Sequence, residues 1–419
     1  MKKSLYMLSL LAFLSIELVG QYTFDWMTDA GNYSKTAAMS AIDSQDNLIV
    51  TGYWQSYNMY TRKISPDGTL LWEAEDASGL SGMYEKSYWI NCDISDNIYV
   101  VGKRYSISSG WEYPDAIIAL KYSPGGELLW KQLIPMTMLI GMQHPGFNVR
   151  SEVDLNGNLY IGSFAANPAG VIFAKIDTNG NLLFTNTSTE NIPIGFRSMR
   201  LQGNHVVMAT GSTGIEVAPV FVWDTAGALL WTAAAAGNGT FDVETDDSDN
   251  IYVISYLTNA VSPTSGEDIT MTKFNSTGSL LWKKDYDLGG SEFPTRFTFS
   301  NGRLSGIGWG PSTPGAYFDW KIFQVDTEST LLWEATYDGT PSNDEHPYFI
   351  AAKPSGEVIV TGKGGPSPDP NNSSYLQMVM VQYSNTGIQE WIDMPNIYGG
   401  WGLACMLASD NSLYAISAS

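Results

Sequence analysis

Cysteine is almost missing from this chain of 419 residues: there are two, Cys92 and Cys405. That excludes a small fold held together by disulfides. The two fall in different copies of the repeat described below, so two free, buried thiols are expected. Basic residues are also scarce, 22 Lys and Arg against 43 Asp and Glu, for a net charge of −21. Such a balance repels phosphate backbones and anionic headgroups, so neither nucleic acid nor an anionic membrane surface is an expected partner. The three histidines, His144, His205 and His346, are too dispersed for a metal-ligand set. There is no Gly-x-Ser-x-Gly elbow, no His-Glu-x-x-His and no phosphate loop. No cofactor and no metal site are therefore expected, calcium in an acidic turn being the one ion left open.

Long apolar runs are absent but for one, Leu5 to Val19, which follows Lys2 and Lys3 and is interrupted by Glu17. It is short for a membrane span and reads as an export signal over residues 1–20, cleaved near Gly20. No cysteine follows it to carry a lipid. The expectation is a secreted protein, periplasmic or at the cell surface, a monomer with no membrane insertion after cleavage. Residues 21–419 are expected to form a single domain.

What the chain does have is glycine, 41 residues, and aromatics at 13%, with only 16% charged residues. This is the profile of a turn-rich β protein. A turn followed by two leucines and a tryptophan recurs, as in Asp67-Gly68-Thr69-Leu70-Leu71-Trp72. It returns at Gly126/Trp130, Gly180/Phe184, Gly227/Trp231, Gly278/Trp282, Ser329/Trp333 and Gly387/Trp391, with a truncated copy at Phe24-Asp25-Trp26. The spacing, 46 to 58 residues, suits four short strands per repeat. Between these copies lies a second phrase, such as Asp96-Asn97-Ile98-Tyr99-Val100-Val101-Gly102 or Asp249-Asn250-Ile251-Tyr252-Val253. Its apolar residues are consecutive, as in a strand covered on both faces.

Naming the strands a to d, the second phrase joins a to b and the Leu-Leu-Trp phrase joins c to d. The expected fold is an all-β propeller of eight blades of four-stranded antiparallel sheets, with seven blades as the alternative. The N-terminal strand around Trp26 would close on the C-terminal a–b pair, leaving that blade one strand c short. The Gly-x-Leu-Leu-Trp phrase resembles the tryptophan-docking repeat of the pyrroloquinoline-quinone-like propellers. The Asp-x-x-Asn-Ile-Tyr-Val-x-Gly phrase resembles the bacterial SBBP propeller repeat. The resemblance covers nearly all of residues 21–419 and implies the fold rather than an activity. Many quinoprotein dehydrogenases of that superfamily carry an adjacent cysteine pair. Cys92 and Cys405 are not adjacent, so quinone-dependent oxidation is not expected.

The Asp/Asn/Gly turns at 154–158 and 177–181 contain part of a calcium-loop spacing, but lack its later Glu and suit tight turns better. The cluster Glu244, Asp246, Asp247 and Asp249 reads as a solvated turn edge. The a–b and c–d connections are short and uniform, whereas the b–c and d–a connections are long and varied, and binding belongs on such loops. Trp54, Trp111, Trp309 and Trp401 lie there, as rings that suit a sugar face. Four strand-a starts place Arg150, Arg197, Asp242 and Arg296 one or three residues after a phenylalanine. If they share a strand parity, they converge with His346 on a cationic tunnel mouth, near Lys35 and Lys86. The leading expectation is a non-enzymatic binding module for an extracellular glycan or protein. The alternatives are a polysaccharide lyase or glycoside hydrolase using Glu292, Glu345 or Asp242, and a structural adhesion repeat.

Overall fold

A computed structural model describes residues 3–8, 22–28 and 35–418, apart from 55–57, 77–81, 109–110, 137–148, 167–168, 189–194, 212–216, 259–265, 312–316, 340–343, 366–376 and 396–400. Every regular element among the described residues is a strand. Consecutive strands build seven antiparallel four-stranded blades, spanning 35–76, 83–135, 150–187, 196–236, 239–286, 293–337 and 346–393. The fold is a β-propeller, and its antiparallel blades match the seven-blade alternative.

An eighth four-stranded sheet unites the two chain ends, in the order Tyr22–Thr28, Lys3–Leu8, Leu413–Ala418, Trp401–Leu407. It corrects the expected closure in two ways. The place of the missing strand c is taken by Lys3–Leu8, inside the segment read as an export signal. That strand runs parallel to both neighbours, so this sheet is mixed and is not an eighth copy of the others.

The chain forms two compact units. One comprises 30–210 and 222–230, the other 1–29, 211–221 and 231–419. In each, strands b and c are the core. Met59–Ile64 and Gln377–Tyr383 are buried at every position. Covering both faces of these strands yields about 1.5–3 kcal/mol per large apolar side chain. Strand d is the exposed edge, with Leu70 and Leu71 about half exposed, at 51% and 49%.

Each recurring phrase has a physical cause. In the a–b turn, Asp154 accepts the amides of Asn156 and Asn158 (both 2.9 Å), the Asn158 side-chain amide (2.8 Å) and the Tyr160 hydroxyl (3.0 Å). Asp93 with Asn97 and Tyr99, and Asp246 with Asn250 and Tyr252, repeat the arrangement. The turn acids are thus committed to the hairpin. The glycine that ends the phrase answers a β-bulge in strand a. A Cβ on Gly102 would lie 2.2 Å from the Lys86 carbonyl, and one on Gly362 would lie 2.2 Å from that of His346. The bulges fall between Ser87 and Trp89 and between Pro347 and Phe349, beside these glycines in register.

The Leu-Leu-Trp phrase clasps one blade to the next. The Trp72 ring covers Gly126 so closely that a Cβ there would sit 2.6 Å from it, and Gly126 has φ +89°. The Trp72 indole donates to the Pro124 carbonyl at 3.0 Å, and Lys63 donates to the same oxygen at 3.2 Å. A carbonyl has two lone pairs and can serve both. Trp130 and Lys121 share Thr178 O at 3.1 and 3.2 Å, and Trp282 and Lys273 share Thr327 O at 3.0 and 2.9 Å. Where phenylalanine replaces tryptophan, Phe184 has no donor. Asn186, two residues on, donates instead to the Gly227 carbonyl at 2.6 Å.

Candidate functional site

In the unit containing 231–419, the strand ends that meet the b–c and d–a connections carry a connected row of rings. Phe293 opens strand a of blade 6 and Trp309 lies near the end of strand b. They are register partners, which puts their rings 4.7 Å apart and stacked. Trp309 also meets Phe318, which opens strand c, at 4.7 Å, and His346, which opens blade 7, at 4.9 Å. Tyr256 meets Phe293 edge-on at 5.2 Å, and Tyr348 lies 6.4 Å from His346. All six side chains are half-buried, and Tyr317 beside Phe318 is exposed. Aromatic packing at these separations fixes the rings in place while leaving part of each to solvent.

Burial and the neighbouring Lys363 ammonium push the His346 imidazole down to about 4. At neutral pH it is therefore an uncharged ring in an aromatic row. Asp344, exposed, accepts the Phe318 amide at 3.1 Å and anchors the adjoining loop.

The other expected residues are placed differently. A common parity of Arg197, Asp242 and Arg296 does not hold, because a bulge falls within each of those three steps; Phe147, before Arg150, lies outside the described residues. Arg197 lies in the bulge between Phe196 and Ser198, Phe241 in that between Thr240 and Asp242, and Thr295 in that between Pro294 and Arg296. An inserted residue resets the alternation of side chains. Arg150 lies over the Trp89 ring at 4.1 Å, and Arg296 over the Phe349 ring at 4.6 Å. Lys86 sits among the rings of Tyr53, Tyr84 and Tyr105 at 5.3, 5.4 and 5.4 Å. These cations are thus spread over aromatic faces. Arg150 and Arg197 belong to one compact unit, and Asp242, Arg296, Glu345 and His346 to the other.

The carboxylates are enclosed. Glu345 has no exposed surface and both its oxygens accept the Gly339 amide, at 3.1 and 2.9 Å, which ties down the d–a connection. Asp242 accepts the Val243 amide at 3.0 Å. Glu292 is wholly buried. The side chains of Lys35, Trp54, Trp111 and Trp401 lie outside the described residues, although their backbones are in strands. Cys92 and Cys405 are free thiols, the first half-buried and the second buried.

Sequence reasoning found Trp309 and His346 but missed their partners Phe293 and Phe318 as members of one row. The available signal was that each opens a strand after a long connection. It also missed the lysines of the clasp, although Lys63, Lys121, Lys175 and Lys273 each stand nine residues before the ring that ends strand d.

No family model and no curated protein matches this chain. Among solved structures, the Dos1 propeller is similar over 78% of this chain and 75% of its own, at 9% identity and a TM-score of 0.51. Hydrazine synthase of Kuenenia stuttgartiensis is similar over 81% of this chain and 93% of its own, at 11% identity and a TM-score of 0.50. A WD40 propeller domain of Doa1 is also similar, at 12% identity over 81% of this chain and 92% of its own, with a TM-score of 0.42. The likeness to the first two shows the β-propeller fold and nothing of the chemistry.

Proposed function

We propose that this chain is an exported, non-enzymatic binding propeller whose long-loop end takes a glycan on the row Phe293, Trp309, Phe318 and His346. The carrying observation is the row itself: half-buried rings of Phe293, Phe318 and His346 held 4.7 to 4.9 Å from the Trp309 ring. A sugar presents an apolar C–H face that packs on such a ring, and its hydroxyls pair with nearby polar groups. The neutral state of His346 supports this, because the row then carries no imidazolium to be desolvated. The enclosure of Glu292 and Glu345 favours binding over hydrolysis, since an acid–base pair must reach the glycosidic bond. Export by the signal expected over residues 1–20 would bring the chain to an extracellular ligand.

The test is a glycan array of neutral and acidic oligosaccharides probed with the protein and with Trp309→Ala. Glycan binding that weakens by about tenfold or more, equivalent to roughly 1.4 kcal/mol, is expected. Binding unchanged in Trp309→Ala removes the row as the site. An array blank for the folded parent removes the glycan and leaves protein as the ligand class.

A further inference from the structure

We propose that Asp268, Asp287 and Glu292 form a binding site for a divalent cation of the calcium class. The three come from separate places: Asp268 from strand c of blade 5 (Glu267–Phe274), Asp287 from just past strand d (Leu280–Tyr286), and Glu292 from just before strand a of blade 6 (Phe293–Ser300). The fold gathers one carboxylate oxygen from each to within 4.8 Å of the others. Among the described residues this is the one group of three acidic, histidine or cysteine side chains that meets such a separation.

An acidic cluster alone would be a surface accident, but Glu292 makes this one different. It has no exposed surface, and neither carboxylate oxygen has a hydrogen-bond partner. A buried carboxylate without a donor is costly unless a proton or a cation compensates it. Asp268 is also fully buried, whereas Asp287 is exposed and leaves the cluster open to solvent on one side.

The loop is shaped around the cluster. Residues 287–292 read Asp-Leu-Gly-Gly-Ser-Glu. Asp287 accepts the Gly289 amide at 2.9 Å. Lys321 donates to the carbonyls of Leu288 and Gly289 at 3.2 and 3.3 Å, holding the loop against blade 6. Lys321 brings one positive charge near three carboxylates, which leaves the group anionic when all three ionise. The donors are all oxygens, with no imidazole or thiolate, which selects a hard cation. Calcium suits a site that combines buried and exposed carboxylates with water, because it accepts irregular geometry. Magnesium demands a near-ideal octahedron.

The experiment is calorimetric titration of the chelator-treated full chain with Ca²⁺ and with Mg²⁺, alongside Glu292→Gln and Asp287→Asn. Ca²⁺ is expected to bind the parent and raise its Tm, with Mg²⁺ weaker. Glu292→Gln should lower Ca²⁺ affinity by about tenfold or more and Asp287→Asn by less, since affinity follows ligand charge. Glu292→Gln resembles the protonated carboxyl, so its cation-free melt should match or exceed the parent's. Asp287→Asn changes an exposed side chain and serves as a second folded variant. A parent that binds neither ion, or variants that titrate like the parent, would overturn the site.

Discussion

Asp154 shows how one side chain fixes a hairpin: it accepts two amides, a carboxamide and a hydroxyl, so the turn leaves little backbone unsatisfied. Burial raises its carboxyl, but the hydrogen bonds from Asn158, Tyr160 and the turn outweigh this and hold it below the usual carboxylate range. Asp154→Ala should therefore cost about 1–3 kcal/mol in urea denaturation. Such an acid contributes stability above its unfolded pKa of about 3.9 and loses it as pH falls through the folded value. His346 acts in the same direction over a different range. Its folded value of about 4 lies below the ordinary 6.5, so the unfolded chain takes up the proton first as the solution is acidified. Its share of stability should be full above about pH 6.5 and decline toward pH 4. An NMR titration should find the His346 imidazole still neutral at about pH 5.5, and His346→Gln should remove that signal. These turn acids were readable from the sequence because the phrase repeats. The ring partners Phe293 and Phe318 were not, because they depend on the register by which the strands of blade 6 pair.

At the scale of elements, stability should reside in the clasps between blades. Trp130→Ala is expected to cost about 2–4 kcal/mol, chiefly through lost packing on Gly180 and with it one of the two hydrogen bonds to the Thr178 carbonyl. Lys121→Met should cost less, about 1 kcal/mol, since Trp130 still serves that oxygen. Guanidinium denaturation of the single and double variants measures both. A double-variant loss larger than the sum of the two would show that they act as one unit. The blades and their recurring phrases were legible because each phrase meets a local demand for a turn or a buried strand. The bulges were not, because they are set by pairing, and so alternation counted along strand a gave a wrong common face. The strand Lys3–Leu8 was hidden for another reason. Its apolar residues satisfy an export signal equally well. If cleavage near Gly20 occurs, Tyr22–Thr28 loses the partner that joins it to Leu413–Ala418. A chain beginning at Gln21 should then melt below the full-length chain, and hydrogen exchange should rise most in Tyr22–Thr28, since Leu413–Ala418 keeps its pairing with Trp401–Leu407. Equal melts and equal protection would show that Lys3–Leu8 contributes nothing to that sheet.

At the scale of the whole molecule, the two sets of connections have different duties. The a–b and c–d turns are saturated with internal hydrogen bonds, and the Trp and Lys clasps engage the c–d turns. The strand ends at the other connections carry the half-buried rings and the unpartnered Glu292. Substitutions should divide accordingly, those at the clasps changing stability and those at the rings changing binding. The most direct test is a thermal-shift measurement with and without the best oligosaccharide from the array, on the parent, Trp130→Ala and Trp309→Ala. The account predicts that Trp130→Ala lowers Tm and keeps the ligand-induced rise, while Trp309→Ala lowers Tm less and loses that rise. A ligand-induced rise intact in Trp309→Ala and lost in Trp130→Ala would contradict it.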